Sequence, residues 1–540
     1  MQRGADIVAR ALERLGVTHV FTLSGNHIMP IFDALLATKI RLIHVRHEAA
    51  CVHMADAWGR LTGQPGIALV TGGQGHGNAV AALYTALASE SPLLLLSGHA
   101  PLSELGHGSF QEMAQADLAR PVTKASWTAQ DAAVLGADIA KAFELAATGR
   151  PGPVHISLPV DLLEQAVADD QITPMTTADE SRSAKIAPEI CDKVIAQLHA
   201  AAKPLVICGP AMCSERGRAV MRQAADALDV PVIGMESPRG INDPGLGAYA
   251  EILAEADLVV LIGKPMDFSL RFGEAPALSP ACKWIVVDSD AALIVRAAKI
   301  LAERLLFSEV IDAQTAIQTL TERSASARGP SGWRTHVNEL LGFEPPLWKS
   351  VRATSPDRVH PVEMCRAIGN FIEKHPGATF VSDGGEIGQW AQALVKTDRR
   401  LINGIAGTIG VSLPFAMAAK LANPEHPVVA VMGDGTFGFH MAEFDTAVRN
   451  DVPVIVVVGN DARWNAEYQI QLRQYGAERA KNCDLLPSRY DRVVEALGGF
   501  GALVTSATDL AEALERAYMS RKPACLNVMI ESTAAPVIRR

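Results

Sequence analysis

The sequence predicts an α/β protein with three consecutive domains, each with a mostly parallel sheet flanked by helices. Short apolar runs rich in Val, Ile and Leu alternate with longer helical patterns, which is typical of βαβ units. The chain has 540 residues, enough for roughly three or four domains of ordinary size. Two polar stretches interrupt the pattern, so we place the domains at 1–170, 186–325 and 355–540.

The first predicted domain contains five apolar runs that have the length of buried strands. They are His19–Leu23, Arg41–Val45, Ile67–Val70, Pro92–Leu96 and Val154–Leu158. Helical patterns separate them at Ile28–Ala37, Ala49–Leu61 and Asn78–Ser89. A polar stretch at 166–188 follows, and we interpret it as a linker because it lacks any apolar periodicity.

The second and third predicted domains repeat the alternation of strands and helices. The middle strands are expected at Pro204–Cys208, Val230–Gly234, Leu258–Gly263 and Lys283–Asp288. The third set is expected at Thr379–Val381, Val428–Met432, Val454–Val458 and Cys525–Ile530. A second linker is expected at 322–350. The first and third domains have a similar order of strands, loops and helices, which suggests that their folds are duplicated.

Composition excludes several classes of protein. Lys and Arg number 49 against 59 Asp and Glu, a net charge of −10, which argues against nucleic-acid binding. No apolar run approaches the roughly 20 residues that cross a membrane, and the N-terminus lacks the pattern of a signal peptide. The eight cysteines are scattered without a C-x-x-C pair. We therefore expect a cytoplasmic protein with reduced, buried thiols.

The strongest motif lies in the third domain, where two strands end in acidic residues. The strand Val428–Met432 runs into Gly433, Asp434 and Gly435, and the next strand is followed by Asp461. Because the carboxyl ends of parallel strands meet at one sheet edge, both carboxylates can reach one cation. The glycines and the following helix start suit a phosphate group. The pattern therefore favours a Mg²⁺–diphosphate site over a tight turn with an aspartate cap.

This motif closely resembles the signature of thiamine diphosphate-dependent enzymes, which is Gly-Asp-Gly followed further on by Asn-Asn. Here Asn460 is followed by Asp461 in place of the second asparagine. The resemblance implies that Asp434, the side chain of Asp461 and the backbone carbonyl of Arg463 ligate Mg²⁺. It assigns thiamine diphosphate binding to Gly407, Ile409, Gly433, Asp434, Gly435, Thr436 and Trp464. Ile409 takes the place of the apolar side chain that supports the bent cofactor.

The same resemblance implies catalytic residues in the first domain. Glu48 follows the second strand, where relatives carry the carboxylate that forms a hydrogen bond with the pyrimidine nitrogen of the cofactor. Without the motif of the third domain, Glu48 would be interpreted as a charge that stabilises a helix N-terminus. His27 lies where benzaldehyde lyase-like relatives carry a proton-transferring histidine, with a capping or core histidine as the alternative. Gln111 belongs to a Phe-Gln-Glu segment similar to that of acetolactate synthases. His76, in a glycine-rich loop, is a weaker candidate than His27.

The domain order resembles the acetolactate synthase, pyruvate oxidase and benzaldehyde lyase group. The function implied is a thiamine diphosphate- and Mg²⁺-dependent enzyme that forms or cleaves a C–C bond. Our first choice is an acetolactate synthase-like carboligase, and the substrate class is a 2-keto acid or 2-hydroxy carbonyl compound. One alternative is a benzaldehyde lyase or 2-hydroxyacyl-CoA lyase type of enzyme. The other is a catalytically silent nucleotide-binding subunit.

The resemblance also bears on assembly and on the middle domain. In this family the site is shared between the first domain of one subunit and the third domain of its partner, which implies a homodimer as the minimum unit and favours a homotetramer. FAD or ADP in the middle domain remains open but is not favoured. The segment that begins at Gly263 is similar to oxalyl-CoA and 2-hydroxyacyl-CoA enzymes and would place Asp288 near a ribose. We favour a structural spacer.

Overall fold

The computed structural model describes residues 1–175, 187–324 and 329–540. By their contacts the described residues form two compact units. The first contains residues 1–175, 413–424 and 440–452. The second contains residues 187–324, 329–412, 425–439 and 453–540. Parts of the two predicted linkers, at 176–186 and 325–328, lie outside the described residues.

The first unit is built on a parallel sheet. Its strands are β1 (Gln2–Arg3), β2 (His19–Thr22), β3 (Arg41–His44), β4 (Gly66–Val70), β5 (Leu93–His99), β6 (Ala125–Thr128), β7 (Pro153–Pro159) and β8 (Ala166–Val167). Its helices are α1 (Gly4–Arg14), α2 (Met29–Leu35), α3 (Glu48–Thr62), α4 (Gln74–Ala88), α5 (Gln115–Ala119), α6 (Leu135–Ala147) and α7 (Val160–Glu164). Six strands pair in the order β3-β2-β4-β5-β7-β6. The short β1 and β8 pair separately, so the first predicted linker begins as a strand.

The middle domain carries a parallel sheet of five strands. They are β9 (Pro204–Cys208), β10 (Val232–Gly234), β11 (Leu258–Ile262), β12 (Lys283–Asp288) and β13 (Leu305–Val310), in the order β10-β9-β11-β12-β13. The helices are α8 (Pro188–Ala200), α9 (Glu215–Leu228), α10 (Tyr249–Glu255), α11 (Ala291–Leu301), α12 (Ala313–Arg323) and α13 (Trp333–Leu341). The prediction of a linker over α13 is wrong. Trp333, Val337 and Leu340, spaced along one helical face, pack into the middle core.

The third sheet is again parallel and has six strands. They are β14 (Thr379–Ser382), β15 (Arg400–Ile402), β16 (Val428–Gly433), β17 (Ile455–Asn460), β18 (Phe500–Val504) and β19 (Ala524–Met529). The helices are α14 (Pro361–Lys374), α15 (Gly385–Leu394), α16 (Ser412–Ala422), α17 (Asp434–His440), α18 (Glu443–Arg449), α19 (Asn465–Tyr475), α20 (Tyr490–Ala496) and α21 (Ala507–Ser520). The strand order β15-β14-β16-β17-β19-β18 repeats that of the first sheet. Helix α18 and most of α16 group with the first unit.

The predicted α/β fold with three mostly parallel sheets is confirmed. All eight cysteines lie within the described ranges, and all are buried and form no disulfide bond there. No helix in the described part of the chain is long and apolar enough to cross a membrane. The exact domain boundaries stay a prediction.

A buried ion cluster stabilises the second unit. Glu236 accepts hydrogen bonds from Arg218 and from Arg400, whose Nε lies 2.9 Å from the carboxylate. The Glu236 and Arg400 side chains are 10% and 8% exposed. Breaking a buried pair leaves one charge uncompensated, so we expect Glu236→Ala to lower the free energy of unfolding by about 3–5 kcal/mol. Thermal unfolding followed by circular dichroism measures this loss.

The exposed pair Arg222–Asp398 provides a matched control for the buried cluster. Its side chains are 56% and 54% exposed, and such surface pairs contribute about 1 kcal/mol or less. We therefore expect Asp398→Ala to leave the unfolding midpoint nearly unchanged. Equal midpoints for Asp398→Ala and Glu236→Ala would contradict the stabilising role of the buried cluster.

Candidate active site

In the first unit, two predicted residues lie at the carboxyl edge of the sheet beside a glycine-rich segment. His27 follows β2 and Glu48 begins α3, while the segment 71–78 follows β4 and includes the first turn of α4. Because β2 and β4 are neighbours on either side of the point where strand order reverses, their ends form the crevice typical of ligand sites. His27 Nδ1 lies 3.2 Å from Thr71 Oγ1, and Asn78 Nδ2 donates to Glu48 Oε2 at 3.0 Å. The segment 71–78 therefore contacts both His27 and Glu48.

Glycines allow this loop to pack closely against the candidate catalytic residues. A Cβ atom at Gly75 would lie 2.8 Å from Thr71 Cγ2 and 3.3 Å from Glu48 Oε1. Gly73 has φ +60°, and a Cβ atom there would lie 2.7 Å from Gln111 Cβ. A larger side chain at Gly73 would be strained and would displace Gln111. The glycine-rich sequence thus brings Gln111 to the same edge as Glu48.

His27 has the environment of a residue that can exchange a proton. It is 6% exposed, and its ring stacks on the exposed ring of Phe110 with centroids 6.2 Å apart. Burial and the nearby His99 lower the pKa of His27 below its ordinary value. The imidazole is therefore neutral at pH 7 and can accept a proton.

His76, the weaker candidate, lies in the core of the first unit. The ring has no exposed surface, its Nδ1 lies 2.8 Å from Ser97 Oγ, and its Nε2 lies 3.0 Å from the carbonyl of Gln115. Burial lowers the pKa of His76 to about 4. Both ring nitrogens therefore contact protein groups, and the role of His76 on a substrate stays a prediction.

Gln115 is a buried residue that the sequence analysis missed. Its Oε1 accepts the backbone N–H of Gly73 at 2.9 Å, and its Nε2 donates to the carbonyl of Gly98 and to Ser157 Oγ, both at 3.1 Å. Gln115 therefore fixes the turn before α4, the helix on which Asn78 contacts Glu48. No local motif marks such a residue, because its partners come from distant strands.

Glu443 is a second missed residue, and it supports the turn before Glu48. The backbone N–H of Arg46 lies 3.0 and 3.1 Å from its two oxygens, and Thr446 Oγ1 donates to it at 2.6 Å. The backbone of His47 bonds it too, and burial raises the pKa of Glu443. A carboxylate at the N-terminus of α3 satisfies N–H groups that the helix leaves open.

Removing the Glu443 carboxylate is expected to loosen the turn that carries Glu48. In Glu443→Ala the N–H groups of Arg46 and His47 lose a charged acceptor, which costs about 1–3 kcal/mol. We expect faster amide hydrogen exchange at the start of α3 and lower turnover, with Glu443→Gln between the alanine variant and wild type. Unchanged exchange in Glu443→Ala would show that Glu443 does not position this turn.

In the second unit, Asp434 and Asp461 follow the neighbouring strands β16 and β17. Asp434 is 2% exposed. Burial, and then the charge of Asp461, raise the pKa of Asp434 to about 7, and burial raises the pKa of Asp461 to about 6. The backbone N–H of Arg463 donates to Asp434 Oδ2 at 3.1 Å. The two carboxylates are close enough to repel each other.

This pair has the chemistry of a Mg²⁺ site. A divalent cation would relieve the repulsion between Asp434 and Asp461. In the described residues no group of three or more His, Cys, Asp or Glu side chains could hold a metal ion. Mg²⁺ commonly uses one or two carboxylates and completes its six ligands with phosphate and water. The donor set therefore fits Mg²⁺ held jointly with a diphosphate.

The predicted cofactor residues after β16 pack around an indole ring. A Cβ atom at Gly435 would lie 2.8 Å from ring carbons of Trp464, so the indole lies directly on this glycine. Thr436 Oγ1 donates to the carbonyl of Gly433 at 3.0 Å and holds the first turn of α17. The structure therefore brings Gly433, Gly435, Thr436 and Trp464 together beside Asp434.

Asp383, a third missed residue, holds the segment that carries Ile409. Its buried carboxylate accepts backbone N–H groups from Gly384 at 2.8 Å, Gly410 at 3.0 Å and Ser412 at 3.1 Å. These bonds tie the Gly407–Gly410 segment to the end of β14. Three N–H donors fix a carboxylate and its surroundings firmly. Asp383 therefore determines where Ile409 lies.

Comparisons with known proteins identify the family. Residues 2–118 match the N-terminal TPP binding domain of thiamine pyrophosphate enzymes, 191–305 their central domain, and 383–528 their C-terminal TPP binding domain. The fold and the site define a cofactor-dependent enzyme that works through two specialised α/β domains. The chain belongs to the thiamine pyrophosphate enzyme family.

Similar proteins narrow the group within the family. A protein of Mycobacterium bovis named "Probable acetolactate synthase" is 31% identical, with 98% of this chain and 96% of that protein covered. The "2-hydroxyacyl-CoA lyase 2" of Danio rerio is 29% identical, with 98% and 92% covered, and the "2-hydroxyacyl-CoA lyase" of Oryza sativa is 28% identical, with 98% and 96% covered. The protein is therefore an enzyme of the acetolactate synthase and 2-hydroxyacyl-CoA lyase group.

Proposed function

We propose that the enzyme is an acetolactate synthase-like carboligase that uses thiamine diphosphate and Mg²⁺ and acts on 2-keto acids. The observation that carries the cofactor chemistry is the position of two carboxylates, the buried Asp434 and the half-buried Asp461, at neighbouring strand ends. The preference for a synthase over a lyase is supported by the 31% identity to the Mycobacterium bovis protein.

Each residue of the site has a proposed task. Thiamine diphosphate, when bound, supplies a carbon nucleophile for a substrate carbonyl. Asp434, Asp461 and the carbonyl of Arg463 would hold Mg²⁺ and, through it, the diphosphate. Glu48 would hold a proton against the pyrimidine ring nitrogen. Ile409 would pack against the cofactor and support its bent conformation.

Two residues of the first unit would contact the substrate. His27, neutral because its pKa is lowered by burial, would take or return a proton on its imidazole ring. Gln111, at the same sheet edge, would donate a hydrogen bond to the substrate oxygen. The buried His76 would keep Gln115 and the loop before α4 in place.

We also propose a homodimer as the minimum active unit and a homotetramer as the full assembly. The family resemblance supports this proposal, because it pairs Glu48 of one chain with the Asp434 region of another. Sedimentation analysis would test it. A monomer that is fully active at high dilution would contradict it.

Product analysis after incubation with thiamine diphosphate, Mg²⁺ and pyruvate tests the proposed function. We expect pyruvate consumption and acetolactate formation. A sample that holds the cofactor but leaves pyruvate untouched would contradict the synthase proposal. Cleavage of 2-hydroxy ketones or 2-hydroxyacyl thioesters would then establish the lyase alternative, which His27 and the Danio rerio relative favour. Failure of C2 hydrogen exchange on the cofactor would favour a silent subunit.

A further inference from the structure

A cavity of about 230 Å³ lies in the second unit, beside the segment that carries Ile409. Its walls come from the loop after β10 and from the ends of β14 and β15. The lining side chains used below are Arg239, Asn403 and Gln389, with Gly384 and Gly407. Asp434 and Asp461, the proposed metal ligands, are not part of this lining. The cavity is therefore separate from the proposed Mg²⁺ site.

The cavity adjoins the place proposed for the reacting part of the cofactor. A Cβ atom at Gly384 would lie 3.0 Å from Ile409 Cγ2 and 3.1 Å from Asn403 Nδ2. Ile409 and Asn403, a residue of the cavity wall, therefore both lie close to Gly384. Gly407, two residues before Ile409, lines the same cavity. A small molecule in this space would lie next to Ile409.

Two polar side chains of the cavity make no hydrogen bond within the described residues. Asn403 is 2% exposed, and its amide makes no hydrogen bond within residues 1–175, 187–324 and 329–540. Over the same residues the exposed guanidinium of Arg239 makes no hydrogen bond or ion pair, and its charge acts on the carboxyl group of Glu386. Both side chains can donate hydrogen bonds to the oxygens of a ligand in the cavity.

The charge of the cavity favours an anion. Arg239 is the sole ionisable side chain among the residues that line it in the described structure. Glu386 is an acid whose charge interacts with that of Arg239; it is buried, and its Oε2 accepts a hydrogen bond from Gln389 Nε2 at 3.0 Å. Burial raises the pKa of Glu386, whereas the charge of Arg239 lowers it. A planar guanidinium in the same cavity as the amide of Asn403 is an arrangement that can bind a carboxylate.

We propose that this cavity is the carboxylate subsite for a 2-keto acid substrate, with Arg239 pairing with the carboxylate and Asn403 donating a hydrogen bond to it. The inference rests on the proposed function and deepens it by naming the residue that selects anionic substrates. The size of the cavity agrees with a small substrate, because its volume of about 230 Å³ is below the roughly 300 Å³ at which pockets for drug-sized ligands begin. A short 2-keto acid fits such a space.

Substrate kinetics of Arg239 variants test the proposal. We expect Arg239→Gln to raise the KM for pyruvate by about 10- to 100-fold, the range for loss of a charge-assisted hydrogen bond. The kcat should change much less, because Arg239 binds the substrate away from the reacting carbon. The KM for a neutral acceptor, acetaldehyde, should stay unchanged. Arg239→Lys should recover part of the pyruvate affinity, since it restores the charge but not the planar fork.

The matched control is Arg296→Gln, an exposed arginine on α11 of the same domain that does not line the cavity. It should behave as wild type with both substrates. An unchanged pyruvate KM in Arg239→Gln, or an equal rise for acetaldehyde, would overturn the subsite.

Cofactor C2 hydrogen exchange without substrate separates this inference from the proposed function. We expect exchange in wild type and in Arg239→Gln alike. No exchange in wild type would overturn the proposed function itself. Normal exchange in wild type, together with pyruvate turnover whose KM is the same in wild type and in Arg239→Gln, would overturn the subsite alone.

Discussion

Glu48→Gln is expected to abolish turnover while leaving thiamine diphosphate binding mostly intact. Glutamine keeps the size of the side chain and its hydrogen bond from Asn78, which reaches Glu48 Oε2 at 3.0 Å. It removes the group that can share a proton with the cofactor's pyrimidine nitrogen. Positioned acid–base groups contribute about 10²- to 10⁴-fold to rates, so a loss of this size is the expected result.

The Glu48 experiment needs two readouts and one control. Hydrogen exchange at cofactor C2, followed by NMR, should slow by the same factor as turnover, whereas calorimetry should give a nearly unchanged affinity for thiamine diphosphate. Glu144→Gln removes an exposed carboxylate on α6 in the same unit and should leave both unchanged. Full activity in Glu48→Gln would rule out this activation route, and a parallel loss of cofactor affinity would point to local unfolding.

The fold could be predicted where strands are buried on both faces. Strands β4, β5 and β7 are buried along their whole length, and their sequences are predominantly apolar. The four strands that the prediction missed in the large sheets all lie at sheet edges, where one side faces solvent or a loop; they are β6, β13, β15 and β18. Strands β6, β13 and β15 contain polar residues, and Gly501 interrupts the apolar run of β18, so these sequences resemble those of loops.

The candidate site shows a similar division between motifs and supporting contacts. Asp434 follows β16 directly and Glu48 follows β3 after a short turn, so parallel topology places each at the binding edge of its sheet. Gln115, Asp383 and Glu443 act by binding backbone N–H groups of distant loops. Because these contacts form only when the chain is packed, the residues that make them show no recognisable spacing in the sequence. The buried position of His76 could not be predicted for the same reason, because its partners Ser97 and Gln115 are distant in sequence.

Asp434→Ala is expected to remove the binding of both Mg²⁺ and thiamine diphosphate. Asp434 is the more buried carboxylate of the pair, and it is also fixed by the N–H of Arg463 at 3.1 Å. Even groups outside the direct metal ligands change metal affinity by about 10- to 100-fold, so a direct ligand should cost at least about 100-fold. Titration with Mg²⁺ at saturating thiamine diphosphate measures the loss.

Asp461→Asn is the variant to compare with Asp434→Ala, because it introduces the asparagine that the family motif carries at this position. The amide oxygen can still ligate Mg²⁺, while the repulsion that raises the pKa of Asp434 disappears. We therefore expect Asp461→Asn to retain the cofactor when Asp434→Ala does not. Trp464 provides an internal probe, because its indole lies on Gly435 and its fluorescence should respond to binding. Unchanged affinity in Asp434→Ala would refute the metal assignment, whereas loss in both variants would mean that the site requires two negative charges.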